Sequence, residues 1–239
     1  MMRLLVDIGN TRTKYTFEQQ GKLSVIQSER NEDINKKWLE NITGSVKAII
    51  VASVGEEHLI DIFSAYTHQN TIDLINVKSE SKRFGVTSSY QQPITLGVDR
   101  WLTLLAADIL YSNKNILIVD AGTATTIDLL DKNGNHLGGW ILPGIDILFN
   151  SLLLNTSQIM AAQEHQVDIS FGKSTSDGVN NACWAATLGF INQSIMQAKK
   201  QVSLDKIILT GGNAEKLGAL LSTKHYIVHE LVFIGMQRF

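Results

Sequence analysis

A single cysteine, Cys183, in 239 residues excludes an internal disulfide and any cluster of thiolates around a metal. An excess of basic charge is missing too, since 21 Lys and Arg stand against 23 Asp and Glu, a formal net charge of −2. That balance offers neither the basic footprint of a nucleic-acid binder nor a polybasic patch for a membrane surface. No apolar run approaches the length of a membrane span, and Met1-Met-Arg-Leu-Leu-Val runs straight into a motif without the pattern of a leader, so a cytoplasmic location is expected. The full Walker A pattern and G-x-G-x-x-G are both absent, which argues against the common mononucleotide and dinucleotide folds. Among His58, His68, His136, His165, His225 and His229, only the weak pair His225 and His229 has any metal-ligand spacing, and all six are expected to be structural or exposed. The partner left by these exclusions is a small molecule.

What is present centres on Ile116 to Asp128. Apolar residues end on Asp120, Gly122 to Thr126 form a glycine and hydroxyl-rich turn, and an alternating run resumes. The pattern predicts a strand, a tight turn and a second strand. Backbone N–H groups beside hydroxyls in such a turn suit phosphate oxygens. The start of the chain repeats the device. Leu4-Leu-Val-Asp7-Ile-Gly9-Asn10-Thr11-Arg12-Thr13 lies without a gap over Leu117 to Thr126, matching at leucine, valine, aspartate, glycine and the final threonine. One such turn would be ordinary hairpin chemistry. Two of them, in a chain with 44% hydrophobic residues, predict two similar lobes, 1–114 and 115–239, each with its own core.

The rest of each half fits that plan. Thr13 to Gln19 alternates, Gly21 turns, and Lys22 to Gln27 reads as a third strand. After a polar stretch come a short helix near Lys36 to Asn41, a buried parallel strand at Val46 to Val54, an amphipathic helix from Glu56 to Thr67 and a strand at Thr71 to Val77. Ser79 to Thr95 is polar and expected to lie over a site, and Thr95 opens a helix to about Leu110. In the second half, Asn133-Gly134 signals a two-residue hairpin, Gly138 to Gly144 turns into a helix over Ile145 to Leu154, and Phe171 to Thr175 form a loop. Asp177 to Lys200 then reads as one long helix whose Ala182, Ala185, Ala186 and Gly189 make a small face for close packing. Cys183 and Trp184 on that helix read as packing residues. Ile207 to Gly212 ends another strand in a polar glycine turn, and a helix follows from Ala214 to Leu221.

Asp99 falls in the first turn of its helix, where a carboxylate is favoured by free N–H groups and the macrodipole. That position is expected to lower its pKa and so make it a weak base. Phosphoryl transfer tolerates a weak base, because its loose transition state asks for positioning before proton removal. The planar, permanently charged fork of Arg100 suits a carboxylate, with a surface ion pair as the plainer alternative. Asp7 and Asp120, hard oxygen ligands at strand ends, suit Mg²⁺ or a larger monovalent ion. Arg12 and Lys14 could neutralise phosphate charge, although Lys14 sits on a strand and could equally face solvent.

Asp7-Ile8-Gly9-Asn10-Thr11, Gly97-Val98-Asp99-Arg100, Asp120-Ala-Gly122-Thr123, Gly138-Gly139 with Pro143-Gly144, and Thr210-Gly211-Gly212, in this order and spacing, resemble the type III pantothenate kinases of the acetate and sugar kinase, Hsp70 and actin superfamily. The resemblance covers almost the whole chain, to Glu230-Leu231-Val232, with departures at Gly178, Ala182 and Ile234. It implies an α/β chain with a duplicated ribonuclease H-like (actin-like ATPase) fold, two lobes with mixed sheets and a nucleotide cleft, and a homodimer. The implied activity is ATP-dependent phosphorylation of pantothenate, the first step of coenzyme A synthesis. The implied site has Asp99 as base and Mg·ATP at Asp7, Ile8, Gly9, Asn10, Thr11, Arg12, Thr13 and Lys14. Thr123 becomes a phosphate contact, and Asp120 holds K⁺ or NH₄⁺. Pantothenate falls to Tyr90, Gly97, Val98, Asp99, Arg100 and Thr175, the last reaching across the dimer. Another small-molecule kinase on the same fold, or a non-catalytic nucleotide-binding relative, are the alternatives.

Overall fold

The first strand shows how the hydrophobic pattern selects the architecture. In β1 (Met2–Ile8), Leu4, Val6 and Ile8 alternate onto one face and are wholly buried, while Arg3, Leu5 and Asp7 take the other. Slipping the register by one residue would exchange all three with Arg3, Leu5 and Asp7 and bring two charged side chains into that core. The computed structural model describes residues 1–55, 57–164 and 166–239. Glu56, expected to open the second helix, and His165 lie outside the described residues. The chain folds as two compact units, Met1–Leu110 with Glu230–Phe239, and Tyr111–His229.

In the first unit β1 pairs antiparallel with β2 (Arg12–Gln19) and parallel with β5 (Val46–Ser53), which pairs parallel with β6 (Asp73–Asn76). β3 (Lys22–Leu23) and β4 (Gln27–Arg30) both lie along β2. The third strand expected over Lys22 to Gln27 is therefore two short ones. Ser24 breaks it: its N–H donates to Phe17 O at 2.8 Å and its carbonyl accepts from Thr16 Oγ1 at 2.9 Å, after which the chain leaves and returns at Gln27. β5 is buried on both faces from Ala48 to Ala52, which accounts for its nearly unbroken apolar run. Leu4, Val6, Ile8, Ile49 and Val51 pack with Leu39 of α1 (Lys36–Ile42) and with Leu59, Phe63 and Tyr66 of α2 (Glu57–Asn70). α3 (Val98–Leu110) and α7 (Leu231–Met236) pack on each other so closely that a Cβ on Gly235 would collide with the Leu102 backbone.

The second unit repeats the order. β9 (Ile116–Ala121) pairs antiparallel with β10 (Ala124–Leu130) and parallel with β12 (Lys206–Thr210). β11 (His136–Pro143) and β13 (Tyr226–Ile227) close the two edges. The sheet orders are β3-β2-β1-β5-β6 and β11-β10-β9-β12-β13, which is the same arrangement twice and the mixed, duplicated ribonuclease H-like fold. Leu117, Val119 and Ala121 pack with Ile127, Leu129, Ile207 and Leu209 under α4 (Ile145–Leu154), α5 (Thr175–Gln201) and α6 (Ala214–Leu220).

The hairpin expected at Asn133-Gly134 is a longer loop, 131–135. Asp131 holds it by accepting from Asn133 N at 2.9 Å and from Asn135 N at 2.7 Å, so no two-residue turn is needed. Burial alone would raise the Asp131 pKa, but these bonds hold it below its ordinary value.

Candidate active site

The first turn joins β1 to β2 through residues 9–12. Asp7 faces Lys14 directly across the hairpin and Ile8 faces Thr13. Since side chains alternate, Asp7, Lys14 and Arg12 share one face of the sheet, opposite the α1 and α2 core. Inside the turn, Gly9 N donates to Arg12 O at 3.1 Å, and Asn10 and Thr11 are exposed. Lys14 is exposed, and the Arg12 guanidinium is turned back onto β4, donating to Ser28 Oγ at 2.8 Å and Ser28 O at 3.0 Å. Two residues that sequence reasoning passed over brace the turn. Asn31 is buried and bonded to both of its flanks, and Gly55 lies so near that a Cβ there would sit 2.6 Å from Gly9 O.

The second turn does not lie over the first without a gap. Asp120 faces Thr126 and Ala121 faces Thr125, so the partner of the strand's last residue comes four positions later, where it comes five positions later for Ile8 and Thr13. The structural counterpart of Thr13 is Thr125, not Thr126. Both are core-facing, at 0% and 1% exposure, whereas Thr126 is beside Asp120. The first turn simply holds one residue more, and the matched final threonines are a coincidence of counting.

Around the second turn glycines supply the close fits. A Cβ on Gly144 would fall on Thr123 O and 2.5 Å from Gly122 O, and one on Gly211 would sit 2.5 Å from Asp120 Oδ1. Gly211 also has φ +89°, a conformation that L side chains rarely adopt. Thr123 is exposed and Asp120 half-buried, on the face away from the α4, α5 and α6 core. Among the described residues no three His, Cys, Asp or Glu side chains gather as a metal cage. Carboxylates at strand ends suit hard cations that take their other oxygens from backbone, water and phosphate.

A third cluster belongs to the first unit. The helix expected to open at Thr95 starts three residues later. Pro93–Thr95 is a short 3₁₀ turn that Pro93 initiates, Thr95 Oγ1 donates to Gln92 O, and the first α-helical bond runs from Trp101 N to Gly97 O. Asp99 still falls in the first turn. Its Oδ1 accepts from Arg100 N at 2.7 Å, and a Cβ at Gly97 would sit 2.5 Å from that oxygen, so a larger residue there would turn the carboxylate aside. Arg100 is 4% exposed and donates to Tyr90 Oη at 2.8 Å, with its guanidinium 5.6 Å from the Tyr90 ring centroid. Val98 is buried beside them. Tyr90, Gly97, Val98, Asp99 and Arg100 thus come together.

The polar segment 79–95 is more ordered than its composition suggests. It carries a small hairpin, β7 (Lys82–Arg83) with β8 (Val86–Thr87), anchored by the buried Val86. Arg238 ties it to α3, donating to Phe84 O at 2.9 Å and Leu105 O at 2.8 Å.

Thr175 is exposed at the start of α5, which begins two residues before its expected start because Ser174 caps it, accepting from Asp177 N at 3.0 Å. Gly172-Lys173-Ser174 precedes it, with Val167 where a Walker A motif needs glycine. Ala182, Ala185, Ala186 and Gly189, expected to pack closely, are all exposed in the chain. The buried stripe of α5 is Val179, Cys183, Trp184, Thr187, Ile191 and Ile195. Burial raises the pKa of the Cys183 thiol. His225 Nδ1 lies 2.8 Å from Thr223 O and His229 Nε2 3.0 Å from Glu215. His136 is buried against Asp128 at 2.9 Å.

The sequence model of the family described as type III pantothenate kinase matches residues 3–197. The chain belongs to this family. A type III pantothenate kinase of Colwellia psychrerythraea is 42% identical over the full length of both chains. One of Pseudoalteromonas translucida is 38% identical, covering 81% of this chain and 78% of its own. Among solved structures, a Campylobacter jejuni protein described as a Baf family transcriptional activator is similar at 24% identity and TM-score 0.65, covering 98% and 96% of the two chains. The activator of 2-hydroxyisocaproyl-CoA dehydratase from Clostridium difficile, with ADPNP bound, has TM-score 0.54 at 12% identity, covering 99% and 92%. These two likenesses concern the fold. Among the described residues of this type III pantothenate kinase family member, no helix is long and apolar enough to cross a membrane.

Proposed function

We infer that this protein transfers the γ-phosphoryl group of ATP to the primary hydroxyl of pantothenate, the first step of coenzyme A synthesis, and that the reaction is cytoplasmic. The observation that carries this is the joint placement of Asp99, Arg100 and Tyr90 at the start of α3 in a chain whose family match spans residues 3–197. Asp99 orients the hydroxyl. The hydroxyl oxygen forms its bond to the γ-phosphorus, the bond to the bridging oxygen breaks, ADP leaves, and the proton passes to the Asp99 carboxylate late in the transfer. Arg100, its fork set by the Tyr90 phenol, pairs with the pantothenate carboxylate. Gly97 and Val98 shape the wall beside it, and Thr175 would reach the substrate across the homodimer.

ATP phosphates fall to the turn of Asp7, Ile8, Gly9, Asn10, Thr11, Arg12, Thr13 and Lys14, and to Thr123. Asp7, through water, would hold Mg²⁺, and Asp120 a K⁺ or NH₄⁺ ion. When bound, these cations offset the charge that gathers on the transferred phosphoryl group.

A homodimer goes with this reading. β11 is an edge strand with Trp140 and Ile141 39% and 63% exposed, the small-residue stripe of α5 is uncovered, and Phe171 is fully exposed. Apolar surface of that kind is what an obligate interface covers.

The assay is phosphorylation of pantothenate with ATP, Mg²⁺ and K⁺, compared with Asp99→Asn. The substitution should lower kcat by about 10²–10⁴-fold. No turnover of pantothenate by the unsubstituted protein would remove the kinase assignment, and equal turnover of the two proteins would remove the role of Asp99. Exchanging K⁺ for Na⁺ should slow turnover, and an unchanged rate would remove the monovalent ion from Asp120.

A further inference from the structure

The turn 9–12 has little of its own to hold it. One internal bond, Gly9 N to Arg12 O, crosses it, Asn10 and Thr11 are exposed, and the Arg12 side chain is bonded to Ser28. What closes the turn lies 18 residues beyond Thr13. Asn31 begins a short 3₁₀ turn after β4, at 9% exposure. Its Nδ2 donates to Gly9 O at 2.9 Å, its Oδ1 accepts from Thr13 Oγ1 at 2.9 Å, and its backbone N donates to Thr11 O at 3.2 Å. One carboxamide thereby joins the entry of the turn to its exit. An asparagine end group carries a donor and an acceptor side by side, which this bridge requires. An aspartate of the same shape would set a carboxylate oxygen against the Gly9 carbonyl and add negative charge behind the turn.

We propose that Asn31 is a positioning residue for nucleotide binding: by bridging Gly9 and Thr13 it holds the backbone N–H groups of the first turn where they meet the phosphates of ATP. The proposal rests on the assignment of ATP to that turn. Asn31 itself touches no phosphate, because its amide is used on the protein. Its loss should therefore appear in nucleotide affinity and leave the pantothenate pocket unaffected.

The test compares Asn31→Ala, Asn31→Asp and the milder Thr13→Val, which keeps the bond to Gly9 O, in the full-length protein. Initial rates varied in ATP and in pantothenate, together with thermal melts, are measured for each. Asn31→Asp should raise KM for ATP by on the order of tenfold or more, Asn31→Ala by less and Thr13→Val least, with KM for pantothenate within about twofold of the unsubstituted enzyme. Amide exchange of the unsubstituted protein with and without Mg·ADPNP separates the two possible failures. Protection of residues 8–14 together with wild-type KM for ATP in all three variants overturns the role of Asn31 alone, even if the melts fall. Equal rises in both KM values overturn it as well, because they mean general damage. Absence of protection at 8–14 overturns the assignment of ATP to the turn and the proposal with it. If the Asn31 variants fail to fold, Thr13→Val decides: a rise in KM for ATP supports the bridge, and none overturns it.

Discussion

The turns that follow β1 and β9 share a sequence signature, yet they are held in different ways. A side chain closes the first, with Asn31 bridging Gly9 and Thr13 and Gly55 in close backbone contact. Backbone closes the second, where Gly144 and Gly211 come so near Gly122, Thr123, Asp120 and Ala121 that no side chain fits. A side-chain bridge can lose one bond at a time, each worth about 0.5–1.5 kcal/mol net. A close approach of glycine to a carbonyl has no such intermediate setting, because one methyl group must move the backbone. A signature can therefore recur while the surroundings that enforce its shape are built independently in each half. The turns even differ in length by one residue.

That contrast predicts an order of effects. Gly211→Ala should be the most damaging, since its Cβ would meet Asp120 Oδ1 at 2.5 Å and the Ala121 carbonyl carbon at 2.6 Å in a left-handed conformation. Overpacking at about 1–3 kcal/mol and a positive-φ cost of about 1–2 kcal/mol should together lower the melting temperature by roughly 5 °C or more, and activity with it. Gly144→Ala lacks the second cost, with φ −68°, and should fall just below. Gly55→Ala should cost less again, because it presses mainly on the Gly9 carbonyl while Asn31 still ties the turn, and its clearest sign should be a raised KM for ATP. Thermal melts and steady-state kinetics on the three proteins give the ranking. Equal losses at Gly55 and Gly211 would break the contrast.

The strands and the signature were legible because both are local. A short apolar run identifies β1 and β9, and an acid followed two residues later by glycine marks their ends. Asp99 and Arg100 were legible as a helix start with a charged pair, and placing that start three residues early, at Thr95, did not misplace them. The braces were not legible. Asn31 stands in a polar stretch that reads as loop, and Gly55, Gly144 and Gly211 show their meaning only when strands distant in sequence bring another backbone beside them. The small residues of α5 misled for a related reason: small size on a helix announces close packing but not which partner supplies it. The ungapped repeat misled because identity was counted along the chain, while side-chain direction is set by the hairpin partner.

Gly178 sharpens the same point with the opposite sign. It lies in the first turn of α5, without positive φ, and a Cβ there would meet nothing within 4 Å. Its departure from the family pattern thus has no close approach behind it, and the helix bears only the entropic cost of a glycine. Gly178→Ala should stabilise the protein by about 0.5–1 kcal/mol and raise the melting temperature by a few degrees at most. A fall in melting temperature instead would mean that something outside this chain, such as a second subunit, packs against α5 at that position.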